Sequence, residues 1–515
     1  MDSKIIHETE ITGLQPDPEN IIKTRKNSPR KQFVHLSLFI FSFTPLFLFS
    51  ACGKEVIEEK IFLNIEIAKL PDKTTFQLGE TPDFTGIEVQ EVFTDGTKRP
   101  NTNFEINWSA DIFKRGTTKA TVSARGRNAT FDISFEGDLV DTGLPVVYID
   151  IQDQAPVVSK DDYVNGTMVI KEKGKIVSEN TMRIKGRGNA TWTYPKKPYK
   201  IKLEKKASIL GMEEAKEWVL LANYCDKTLL RTGIAFKLSR LMKFPWTPDD
   251  RFVELVLNGE YLGNYQLVEP VEQGINRVNI PSDGYLFERD GYYDQEPNYF
   301  VSSMGHGFSF KNPDPEDDLT TQQREYIKNY MDTFESILTS STFNDPQNGY
   351  ARFIDVSSFV RWFVFHNILA NMDTNVYLIK EDTGDSKVEM YPVWDFEWSI
   401  GIGWYEGARP RPANYYVWNS NAFYYDKLLQ DPAFKTRIRE LWQNTTVTDE
   451  ILNYIDETSA LLDLSQQLNF KRWNIMNQRV SVGGIPMGSY EAEVECDRQF
   501  FINHMNWLNS EFSKY

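Results

Sequence analysis

Between residues 356 and 400 a long apolar run gives way to three oxygen-bearing side chains in a fixed order. Val356–Leu369 (VSSFVRWFVFHNIL) reads as a largely apolar helix, too long for a strand. Asp373 and Asn375 follow it, at the start of a strand ending at Ile379. A turn rich in Asp, Gly and Ser (381–386) precedes a second strand candidate from Val388, and Asp395 stands at its end, 22 residues after Asp373. A hairpin returns the chain to its starting point, so the three side chains are expected to meet. Two carboxylates with an amide oxygen are hard donors, suited to a Mg²⁺ ion that keeps waters and binds phosphates. Each acidic residue alone reads as a turn or cap; the order of the whole set is much harder to obtain by accident.

Upstream, the chain is first strand-rich and then helix-rich. Val146–Ile151, Gly166–Lys171 and Asn180–Ile184 are strand candidates, and the last leads into Arg187-Gly-Asn189. In Lys196-Lys-Pro-Tyr-Lys-Ile-Lys-Leu203, Tyr199, Ile201 and Leu203 take one strand face, and Lys200 and Lys202 the other. Two cations beside a glycine turn suit phosphate oxygens, although alternating lysines are more often a solvated face. Asp226 precedes a helix predicted over 232–242, and a second helix is predicted over 321–338.

Residues 61–135 show strand periodicity. Ile61, Leu63, Ile65 and Ile67 alternate with other residues, as do Phe131, Ile133 and Phe135. Asp95-Gly96 and the stretch around Gly126 are turn signals. Short strands at this spacing predict a small all-β sandwich over residues 58–137, with 137–145 as linker. Its run from Leu78 (LGETPDFTGIEV) resembles bacterial Ig-like repeats. The role expected of such a unit is a spacer that holds the next domain off a membrane.

The first 52 residues read as an address. A basic stretch (Arg25 to Lys31) precedes an apolar run from Phe33, and Ser50-Ala51 precedes Cys52 in the layout of a lipobox. Cys52 is therefore the expected lipidation site. The expectation that follows is a chain lipid-anchored to a bacterial membrane in the cell envelope, facing the periplasm or exterior. An uncleaved signal anchor is the competing reading of the same run.

Composition narrows the chemistry. The net charge of −16 makes general nucleic-acid binding a poor fit. With three cysteines, no CxxC pair and five scattered histidines, a zinc site or disulfide framework is not expected. Aromatics at 14% suit large cores and stacking surfaces alike.

Taken together, RGN, KPYKIKL, LLANYxDKxLLR, YLGNY-x3-E, N-x-D-x-N-x-Y and WDF resemble, in this order, the CotH family of atypical protein kinases, over about residues 145–512. The resemblance implies an α+β fold: a divergent protein-kinase-like domain, here preceded by the Ig-like sandwich. It implies ATP with Mg²⁺ or Mn²⁺ as cofactors, and transfer of a phosphoryl group to Ser, Thr or other side chains of an extracytoplasmic protein partner. By the same resemblance Lys200 is the nucleotide-phosphate lysine, with Lys202 second, and Arg187 helps position phosphate. Asp373 matches the catalytic-loop Asp, as base or metal ligand, while Asn375 and Asp395 hold metal. Asp373 and Asn375 stand two apart, closer than in ordinary kinases, and no GxGxxG loop is present. Asp226 and Arg231 are expected to form a structural ion pair, and Glu269 to lie near the hinge strand. A catalytically silent scaffold or adhesin on the same fold is the alternative from another class. A carbohydrate-active protein rests only on aromatics and acids.

Overall fold

Alternation builds the N-terminal part of the chain. In the computed structural model the described residues are 60–313, 319–371, 373, 375–402, 423–480 and 484–515. The expected leader and Cys52 lie outside them. Strands β1 (Phe62–Lys69), β3 (Glu88–Phe93) and β4 (Lys98–Asn101) form one sheet. Strands β2 (Thr75–Leu78), β5 (Glu105–Trp108), β6 (Gly116–Ala124) and β7 (Arg127–Leu139) form a second. Phe131, Ile133 and Phe135 are buried as their spacing predicts, sharing a core with Ile65, Phe76, Val89 and Val122. The Asp95-Gly96 turn joins β3 to β4, where Asp95 accepts from the Thr97 amide at 3.0 Å. Between β6 and β7, Arg125 and Gly126 both take positive φ (49° and 73°), the twist a tight hairpin needs. Ile61 and Leu63 depart from expectation and are exposed, because β1 pairs irregularly with β3 at its ends.

The next strands close a barrel. They are β8 (Val146–Ile151), β9 (Val164–Glu172), β10 (Lys175–Gly186), β11 (Tyr199–Ala207), β12 (Ala215–Leu221), β13 (Asp250–Leu257) and β14 (Glu260–Val268). The order around it is β10-β11-β12-β14-β13-β8-β9, with β8 and β13 parallel. A short α1 (Ala190–Thr193) follows β10, and α2 (Arg231–Leu241) joins β12 to β13. Inward-facing side chains, among them Ile149, Ile170, Ile184, Ile201, Trp218 and Leu255, fill the barrel. The expected linker is ordered: Thr142 is buried and donates its hydroxyl to Glu254 Oε1 at 2.8 Å.

The C-terminal part is built on a mixed core. Strands β15 (Tyr285–Arg289), β16 (Tyr299–Val301), β17 (Gly307–Asn312), β18 (Val376–Lys380) and β19 (Glu389–Met390) form a sheet of order β16-β17-β15-β18-β19. Helices α3 (Thr321–Leu338) and α4 (Val356–Leu369) match the predicted spans. They are followed by α5 (Tyr425–Leu428), α6 (Pro432–Gln443), α7 (Thr448–Leu461), α8 (Asp463–Arg472) and α9 (Tyr490–Phe512). A Thr320–Gln323 capping box starts α3, and Asp355 caps α4. Apolar almost all round, α4 lies in the core, and Phe359, Trp362, Phe363 and Phe365 are each nearly or fully buried. The chain is thus α+β, and Lys60–Tyr515 form one compact unit. Among the described residues no helix is long and apolar enough to cross a membrane.

Candidate active site

The end of α4 sets the geometry. Ala370 terminates the helix in the left-handed conformation (φ 48°), and the next residues leave the helix axis toward β18. Asn371 then ties both arms of the hairpin: its side-chain amide donates to the Asp395 carbonyl at 3.0 Å, and its oxygen accepts from the Asp373 amide at 3.3 Å. The Ile400 amide donates to the Leu369 carbonyl at 2.8 Å, so the loop carrying Asp395 is fastened to the helix end at its far side too. Asp395 itself has φ 70°, a strained backbone for a side chain other than glycine. Here β19 is only two residues long, so Asp395 lies in a loop beyond it, not at a strand end.

Asp373, Asn375 and Asp395 line one cavity of about 610 Å³. The barrel supplies the opposite wall through the β10–α1 turn (Arg187, Gly188, Asn189), with Lys196, Leu221 and Ala222. Gly188 takes φ 81°, which lets this turn close over the cavity. The Arg187 guanidinium lies 5.5 Å from the Trp394 ring centroid. From the sheet come Glu288 on β15, Lys311 on β17 and Tyr377 on β18. Lys311 Nζ sits 3.2 Å from Glu288 Oε2 and 3.8 Å from Glu296 Oε1.

The structure therefore gathers Arg187, Asp373, Asn375 and Asp395, and leaves Lys200 and Lys202 elsewhere. Strand alternation on β11 sends Tyr199, Ile201 and Leu203 into the barrel and both lysines outward, as predicted. There they share Glu217 of β12, at 2.6 and 2.7 Å, away from the cavity lining. The cavity-lining cations that sequence reasoning missed are Lys196 and Lys311. Lys196 stands just before β11 and is 2% exposed. It donates to the Asn264 carbonyl and, at 3.0 Å, to Asn469 Oδ1. Its position immediately before KPYKIKL was visible, but only the fold shows it turned inward. Nothing in the local sequence around Lys311 marked it, because its partner Glu288 comes from a neighbouring strand.

The ion pair expected between Asp226 and Arg231 is present and fully buried, and Asp497 of α9 completes it. Arg231 Nε donates to the Ser399 carbonyl at 3.0 Å, so this cluster also holds the loop that carries Asp395. Glu269 pairs with Arg277 at the end of β14 and does not line the cavity.

Charge is unevenly balanced across the cavity. The Asp395 carboxylate opens onto it, but protein crowds it closely. Burial, then the negative charges of Asp373 and Glu397, push its carboxyl well above the ordinary range, against the attraction of Arg187. Burial and the charge of Asp226 push Glu397 up to about 7. Burial drives the Lys196 ammonium down to about 7, against the pull of Glu254 and Glu397. Two acidic groups crowded in this way favour a cation between them. Among the described residues no cluster of three or more His, Cys, Asp or Glu side chains has metal-binding geometry; the amide of Asn375 is a further oxygen donor among the residues that line the cavity. Hard oxygens on one wall and guanidinium and ammonium groups on the others fit a divalent cation with a polyphosphate.

Two comparisons with known proteins place the chain among relatives. A family model described as CotH kinase protein matches residues 183–508. A stretch of 72 residues is 39% identical to "Pectate lyase L" of Thermoclostridium stercorarium, covering 14% of this chain and 6% of that protein. The chain thus spans a small fraction of the curated relative it matches, whose activity is that protein's own.

Proposed function

Because the chain belongs to the CotH kinase family, we propose that this cavity transfers the γ-phosphoryl group of ATP to a hydroxyl side chain of a protein outside the cytoplasm. The observation that carries the reading is the convergence of Asp373, Asn375 and Asp395 with Arg187 and Lys311 on one cavity. Asn375 and Asp395 are the residues that would hold Mg²⁺ or Mn²⁺. When bound, that metal supplies neutralisation of charge on the phosphates.

The chain's own groups perform the remaining tasks. Arg187 and Lys311 orient phosphate oxygens, since both are cationic and both line the cavity. Tyr194 and Tyr224, stacked with ring centroids 5.5 Å apart, give the cavity an aromatic wall for a planar base. Asp373 takes the proton of the acceptor hydroxyl as its oxygen bonds to the γ-phosphorus. The bond from that phosphorus to the bridging oxygen breaks, and ADP leaves. In kinase terms the barrel corresponds to the nucleotide lobe and the region from β15 onward to the second lobe, with an Ig-like sandwich in front.

The first 52 residues support export and lipid anchoring at Cys52, with the cavity displayed at the cell envelope. Incorporation of labelled fatty acid into the wild type, absent from Cys52→Ser, is the expected result.

Activity is tested on the full-length chain with labelled ATP and Mg²⁺ or Mn²⁺. Asp395→Ala is expected to lower transfer by roughly 10²–10³. Equal incorporation by both proteins would overturn the site assignment. Absence of nucleotide binding at millimolar ATP would favour a silent scaffold on the same fold.

A further inference from the structure

The N-terminal β unit reaches the cavity through a continuous set of contacts. At the barrel, the Tyr261 amide donates to the Phe113 carbonyl at 2.7 Å, and the Arg115 amide to the Gly259 carbonyl at 2.9 Å. The Phe113 ring packs on the Tyr261 ring at 5.6 Å. Tyr261 then donates its hydroxyl to Glu254 Oε2 at 2.7 Å, and Ser465 of α8 also bonds Glu254. Arg472, at the end of α8, spans Asp111 of the β unit (3.2 Å) and Glu260 of the barrel. One turn earlier, Asn469 receives Lys196 Nζ and the Asn264 amide (3.1 Å).

We infer that the β unit and α8 act together as the support that positions Lys196 in the cavity, so that residues preceding the matched kinase region help to build the site. That Lys196, as a cation lining the cavity, aids nucleotide binding rests on the nucleotide reading above; the mechanical coupling does not. Lys196 is a cavity cation held by a side chain from α8, and α8 is seated on the β unit through Leu468 and Arg472. Loosening that seat frees Asn469, and with it the lysine.

The test compares Phe113→Ala with Val122→Ala in the full-length chain. Both remove buried apolar atoms from the β unit, but Val122 lies on β6, flanked by β5 and β7. The first readout is the acetylation rate of Lys196 by acetic anhydride, resolved by mass spectrometry. The second is the split between KM for ATP and kcat. Phe113→Ala is expected to raise Lys196 modification roughly tenfold and KM several-fold, with kcat less affected, by promoting local opening. Phe113→Leu restores most of the difference, and Val122→Ala changes only the melting temperature. Unchanged Lys196 reactivity in Phe113→Ala, or an equal rise in Val122→Ala, would overturn the inference. Lys196 reactivity that responds to Phe113→Ala in a protein unable to bind ATP upholds the coupling and defeats the nucleotide reading alone.

Discussion

Asp395 concentrates strain and repulsion in one residue. Its left-handed backbone costs about 1–3 kcal/mol, and its carboxylate faces Asp373 and Glu397 with Arg187 as counter-charge. Asn tolerates such a φ and carries no charge. Asp395→Asn is therefore expected to raise the melting temperature of the metal-free protein near pH 8 while lowering transfer; a lowered melting temperature would show that the repulsion is already relieved. Lys196 gives a pH signature. Its folded pKa, about 7, lies below the ordinary 10.5, so the unfolded chain binds the proton more tightly between those values. Its contribution to stability accordingly rises as pH increases from about 7 toward 10.5. Lys196→Met should remove that rise, as seen in urea unfolding at several pH values. Gly263 belongs to the same cluster. It takes φ 111°, and a Cβ there would lie 2.5 Å from Asn469 Oδ1 and 3.1 Å from Lys196 Cε. Gly263→Ala is expected to lower both stability and ATP affinity.

Among the elements, α4 was the most legible. The span 356–369 follows from a largely apolar run and lies where the sequence put it, while the cap by Asp355 came to light only in the structure. The alternation of β11 was legible too, but it settled only which lysines share a face. It did not say that Glu217, on the next strand, occupies both. The buried Asp226–Arg231–Asp497 cluster was half legible: Asp226 and Arg231 are five apart, while Asp497 arrives from α9. Removing one partner leaves an uncompensated buried charge, so Asp497→Ala should cost about 3–5 kcal/mol in denaturant unfolding. Because Arg231 also holds the Ser399 carbonyl, the same variant should weaken metal-dependent transfer.

At the scale of the molecule, the matched family region and the folding unit differ in extent. The match begins at residue 183, inside β10, whereas the barrel closes only with β8 and β9 before it. A chain starting at residue 183 would leave two strand edges open and the barrel core exposed. Such a truncation is expected to show no cooperative thermal transition by circular dichroism, and a cooperative one would assign β8 and β9 to an accessory role.

The order of the helix, the hairpin and the Asp373–Asn375–Asp395 set was determined by the sequence alone, because periodicity and turn chemistry act over a few neighbouring residues. So were the strand alternation and the family resemblance. Which cations face those acids was decided by the tertiary structure. Lys196 and Lys311 meet the cavity through strands and a helix distant in sequence, and Lys200 and Lys202 are turned away by the pleat of β11. The physical reason is that a charge's role depends on its burial and on the groups opposite it. In this protein those opposing groups come from as far as Asn469, on a helix more than half the chain away from Lys196.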